Sequence, residues 1–115
     1  MGKSPMRPMV LILALAGISA GQGARTFTGV ITDSECSTAD HAHMRMGPTD
    51  PECVTACISE HGAAYVLFDG KNTYALSNQK APETFAARKV TITGKLDAKG
   101  KTIQVESIRP VGNMP

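Results

Sequence analysis

Two runs towards the C-terminal end, Lys89-Val-Thr-Ile-Thr-Gly-Lys-Leu96 and Thr102-Ile-Gln-Val-Glu-Ser-Ile108, alternate apolar with polar residues around Asp97-Ala-Lys-Gly100. Side chains of an extended chain point to opposite faces in turn, so Val90, Ile92 and Leu96 share a face, as do Ile103 and Val105. The turn-forming residues between the two runs make them a β-hairpin with one buried side. A sheet is therefore the frame, and the remaining segments must extend it or cover it.

Arg25-Thr-Phe-Thr-Gly-Val-Ile-Thr-Asp33 also alternates and is β-branched, so it reads as a first strand. Ala64-Tyr-Val-Leu-Phe68 and Thr73-Tyr-Ala-Leu76 flank Asp69-Gly-Lys-Asn72 and predict a second hairpin. A helix is expected over 51–61. Asp50 is its expected N-cap, Pro51 takes the first helical position, Thr49 and Glu52 have capping-box spacing, and Gly62 is placed to end it. Pro82 to Ala87 suits one or two helical turns. The predicted class is mainly β (α+β): a five-stranded, OB-like small barrel with a Cys/His-containing helical insert between strands 1 and 2. Gly29 and Gly94 fall where bent strands need a residue without a side chain. The alternative is an open five-stranded meander with one packed helix.

The ends bound the domain. Lys3 and Arg7 precede the apolar run Met9 to Ile18, and Ala20 and Ala24 are plausible cleavage points. This is the layout of an export signal, and the run is too short for a membrane span. Residues 1–24 are thus expected to be a signal peptide, 25–109 the domain and 110–115 a disordered tail, in a periplasmic or secreted protein. Lys3 and Arg7 leave with the signal, taking the basic count from 12 to 10 against 10 acidic residues. A neutral domain with interspersed signs has no footprint for nucleic acid. About 90 residues make one small domain with a thin core, for which a cross-link or metal is a useful supplement.

All three cysteines and all three histidines crowd between Cys36 and His61. Positions four apart drift about 40° around a helix, so Cys53, Cys57 and His61 share one face. Two of them, with Cys36 and either His41 or His43 from the preceding loop, make a set of three cysteines and one histidine, or of two and two. His61, at a helix end, is the weaker ligand and suits a dipole role instead. Zinc is the first expectation. Met44 and Met46 add thioethers that suit copper(I), although loop packing is the plainer role for methionine.

Two other readings use the same residues. Export favours a disulfide from Cys36 to Cys53 or Cys57, leaving one thiol to lie buried or to link two chains, so the state is a monomer or a Cys-linked dimer. A redox or nucleophilic cysteine is the third, but no Cys-x-x-Cys motif is present. No paired carboxylates, phosphate loop or nucleophile elbow supports a hydrolase, and a non-enzymatic role is the expectation.

Taken in order, Phe27-Thr-Gly-Val-Ile-Thr-Asp-Ser-Glu-Cys36, the His/Met-rich loop, Cys53-x-x-x-Cys57, His61-Gly-Ala-Ala-Tyr-Val-Leu-Phe-Asp69 and Val90-Thr-Ile-Thr-Gly-Lys-Leu resemble a family of small exported bacterial domains of uncharacterised function. The resemblance spans about Thr26 to Ile108. It implies an exported OB-like domain, and its motif falls here on Cys36, His41 or His43, Cys53 and Cys57. The functional expectation is a metal-binding barrel module, or else a disulfide-stapled module that binds a protein or small ligand.

Overall fold

The computed structural model describes residues 23–42 and 44–112. The expected signal over 1–24, save Gly23 and Ala24, lies outside the described residues, as do His43 and positions 113–115 of the expected tail. Among the described residues five strands are formed: β1 (Arg25–Asp33), β2 (Tyr65–Phe68), β3 (Thr73–Leu76), β4 (Lys89–Leu96) and β5 (Thr102–Pro110). One α-helix, α1 (Asp50–His61), lies between β1 and β2, and a 3-10 helix, Ala81–Phe85, lies between β3 and β4. The result is a small, β-rich α+β fold. Among the described residues no helix is long and apolar enough to cross a membrane.

The strands form one mixed sheet in the order β1-β2-β3-β5-β4, with β4 also beside β1. All pairings are antiparallel except β3 with β5, which run parallel through Ala75↔Thr102 and Leu76↔Ile103. β1 pairs with β4 from Arg25 to Val30 and with β2 from Val30 to Asp33, so it changes partner at its middle. Gly29 sits at that change. A Cβ there would run into the Phe68 carbonyl oxygen and lie 2.9 Å from the Asp69 Cα, which is why the position must be bare. Gly94 meets the same constraint, with the Gln104 carbonyl and Ile103 Cγ2 in the way.

The alternation expected of β5 breaks once. Gly94 faces Val105 but Thr93 faces Ser107, so Glu106 is the extra residue of a bulge. The shift restores the phase and sets Ile108 opposite Ile92. β5 then runs on to Pro110, one residue past the expected domain end, where Pro110 faces Val90.

Ile31, Leu67, Val90, Ile92 and Ile103 are fully buried, each worth about 1.5–3 kcal/mol relative to exposure. Phe27 and Tyr74 meet edge to face with ring centroids 5.5 Å apart. Helix α1 lays Val54 into this core, with Ile58 packed against it. Its cap is Thr49 rather than the expected Asp50. Thr49 is the last extended residue (φ −124°, ψ 162°), and its Oγ1 accepts from the Glu52 N–H at 3.3 Å. Asp50 instead pairs with Arg45 at 2.8 Å, and Pro51 stands one position further into the helix than expected. Gly62 ends the helix in the left-handed conformation (φ 67°), as its place after His61 predicts.

Candidate metal centre

Three elements converge where β1 gives way to the insert. β1 is buried on both faces at its end, and Ile31, Thr32 and Asp33 are all inaccessible. The Asp33 Oδ1 accepts from the N–H groups of Glu35 and Cys36, both at 2.9 Å, which folds the chain into a tight turn. The buried Thr32 hydroxyl donates to the Cys36 carbonyl at 2.8 Å and fixes the far side of that turn. Cys36 is thereby folded back over the strand it has just left. Cys57 arrives from α1, and its carbonyl accepts from the N–H groups of Gly62 and Ala63, the latter at 3.1 Å.

Asp33, Cys36 and Cys57 each turn one ligand atom into this space, all within 4.8 Å of one another and all buried. Asp33 Oδ2 has no hydrogen-bond partner. Burial, then the Asp33 carboxylate, then Cys53, push both thiols up, Cys57 to about 12 from the ordinary 9.0. No cation is among the groups that shift either thiol. The pocket gathers one carboxylate and two would-be thiolates with nothing positive to offset them. A divalent ion reverses that balance, because it deprotonates a coordinating thiol outright and is itself satisfied by oxygen and sulfur donors. The residues present therefore fit a metal.

The expected ligands separate. Cys36 and Cys57 are brought together. Cys53 is fully buried but occupied elsewhere: its Sγ accepts from the Met46 N–H and donates to the Met44 carbonyl, both at 3.4 Å. One thiol thus ties down the backbone of the His/Met loop, and Cys53 is not in the group that brings Cys36 and Cys57 together. His41 is buried, yet its ring nitrogens are outside the 4.8 Å group, and its Nδ1 has no partner. His43 lies outside the described residues. His61 is exposed at the end of α1, so sharing a face by spacing does not bring it to the centre.

All three cysteines are free thiols, so the expected staple from Cys36 to Cys53 or Cys57 is not formed. None of them is exposed to link a second chain.

Asp33 is the member missed by reading for cysteine and histidine alone. Its signal was in the strand: Phe27, Gly29, Ile31 and Asp33 are in phase, so the carboxylate occupies a core-facing position three residues before Cys36. Comparison with family models, characterised proteins and solved structures finds no match for this chain.

Proposed function

We propose that this chain is an exported, non-enzymatic metal-binding module, an OB-type closed barrel that holds one zinc ion at Asp33, Cys36 and Cys57. The observation that carries this reading is the buried Asp33 carboxylate, which has one oxygen within 4.8 Å of two buried thiols and an Oδ2 without a hydrogen-bond partner. A buried acceptor left unsatisfied costs about 1–3 kcal/mol, so native chains keep one where something else satisfies it. The carboxylate oxygen favours zinc over copper(I), which selects softer sets of thiolate and thioether. The five pairings and the parallel β3–β5 seam support the OB-type assignment. They also accord with the resemblance to exported bacterial domains.

The role is structural. The two sulfurs are inaccessible and held as thiols, the reverse of the exposed, low-pKa cysteine that redox or nucleophilic chemistry needs. Metal binding by residues from a strand end, a turn and a helix ties together segments that the small core leaves weakly joined.

Native mass spectrometry of the chain purified without chelator, beside its denatured mass after alkylation, tests this. One zinc per chain and three alkylated thiols are expected. No ion and two thiols lost would replace this reading with a second one, a stapled interaction module. The proximity of the two sulfurs then makes Cys36–Cys57 the bridge and Cys53 the free thiol.

A further inference from the structure

We infer that His41 is the fourth protein ligand of this centre, through Nδ1, closing the site with one aspartate, two cysteines and one histidine. The inference rests on the metal-binding reading above. Structural zinc sites are four-coordinate with protein donors throughout, whereas catalytic ones keep a position open. Asp33, Cys36 and Cys57 supply three donors, so the identity of the fourth decides which kind of site this is.

Among the described residues only two buried side-chain nitrogen or oxygen atoms lack a hydrogen-bond partner, Asp33 Oδ2 and His41 Nδ1. The first is already in the centre. The second belongs to an imidazole with 5% of its surface exposed, and leaving such a nitrogen unpaired carries the same kind of penalty as the carboxylate. Both penalties disappear if one ion takes both atoms. The other donors are spoken for. The Cys53 thiol is held by the backbone of Met44 and Met46, and His61 is exposed in the last turn of α1.

His41 is also tethered suitably. The chain from Cys36 to Ala39 is fixed to the barrel: the Ala39 N–H donates to the Cys36 carbonyl at 2.8 Å, and the Thr73 hydroxyl donates to the Ser37 carbonyl at 2.9 Å. Ala39 itself adopts a left-handed conformation, φ 62°, which turns the chain after Cys36. The hydrogen bonds that follow are local, from the Ala42 N–H to Asp40 Oδ1 at 3.0 Å and from the Met44 N–H to the His41 carbonyl at 3.4 Å. His41 therefore sits on a segment that can shift towards the centre while Cys36 and Cys57 stay in place. Its nitrogens lie outside the 4.8 Å group, so the inference requires residues 40–42 to move inward as the ion binds.

Cobalt(II), which reports its own coordination, is the probe. Titration of the full chain should give the intense visible bands of a tetrahedral ion with two thiolates. His41→Ala should lose most of that intensity and bind at least about 100-fold more weakly, beyond the 10–100-fold typical of an outer partner. His43→Ala should change neither. Unaltered intensity and affinity in His41→Ala would overturn the inference and leave the fourth position to solvent. Should His41→Ala fail to fold, the wild-type chain loaded with cadmium-113 still decides: coupling of the metal to the Nδ1 of His41 is expected, and coupling to another histidine or to none overturns it. A wild-type chain that takes up no cobalt fails at the earlier step, the metal-binding reading itself.

Discussion

Asp33→Asn should stabilise the metal-free protein and destabilise the zinc-loaded one. Asparagine keeps the Oδ1 acceptor that receives the Glu35 and Cys36 N–H groups, so the turn survives. It puts an amide NH2 where Oδ2 lies, buried and unpartnered, and that NH2 can donate to the Cys36 and Cys57 sulfurs of the same pocket. Relief of one unsatisfied buried acceptor returns about 1–3 kcal/mol. At about 4–8 °C per kcal/mol for a domain of this size, the metal-free variant should melt roughly 5–20 °C above wild type. Zinc at about 1,000 times its Kd adds about 4 kcal/mol to a protein that binds only when folded. Wild type gains that increment and the variant does not, so the order of melting reverses. Calorimetry of both chains, once with chelator and once with excess zinc, reads the two orders directly. If Asp33→Asn lowers the melting temperature equally in both conditions, Asp33 only shapes the turn and the metal reading loses its support.

The two helical cysteines should part company. Cys57→Ser is expected to abolish zinc binding and, with it, the chelator-sensitive part of the melting temperature, whereas Cys53→Ser should retain one zinc by native mass, because its thiol bonds only loop backbone. Alkaline pH should weaken the metal-free fold. The Cys57 thiol ionises near 9.0 when free and near 12 when folded, so between these values the folded chain keeps a proton that the unfolded chain has lost. Stability therefore falls as pH rises from about 9 to 12, and urea midpoints should show a shallower fall in Cys57→Ala. At the helix start, Thr49→Ala should cost about 1 kcal/mol as a lost cap. Asp50→Ala should cost less than about 1 kcal/mol, since its pair with Arg45 is half exposed. A lower urea midpoint for Asp50→Ala than for Thr49→Ala would return the cap to Asp50.

Much of the frame could be read from local pattern, because strand alternation and turn chemistry act over a few residues. Both hairpins, the helix and the bare positions Gly29 and Gly94 are of this kind. The centre is different in kind. Cys53 and Cys57 are equivalent by spacing along a helix, and only the path of the Met44–Met46 loop, a tertiary fact, takes Cys53 away. His61 stands apart for a related reason: Gly62 ends the helix just there, leaving its last residue in solvent. Asp33 was legible in principle, as a carboxylate in phase with the core face of β1. An acidic residue at the end of a strand is ordinarily read as a turn former, a role that its Oδ1 does fill.

The two ends of the insert are hydrogen-bonded to each other. The Ser34 N–H donates to the Ala64 carbonyl at 2.8 Å, and the Ala64 N–H donates to the Ser34 Oγ at 2.9 Å, across 30 residues of sequence. The ladder that joins β1 to β2 through Asp33↔Tyr65 thus continues one step past the strands before the chain departs. The insert is in effect a side branch on a stem, one whose helix still lends Val54 to the core of the sheet. Such a branch can take up extra residues in its exposed loop while the β1–β2 register is held at its base. The three residues of the candidate centre are divided between the two, Asp33 on the stem and Cys36 and Cys57 on the branch, so the loop can vary only as far as it returns both sulfurs to that aspartate.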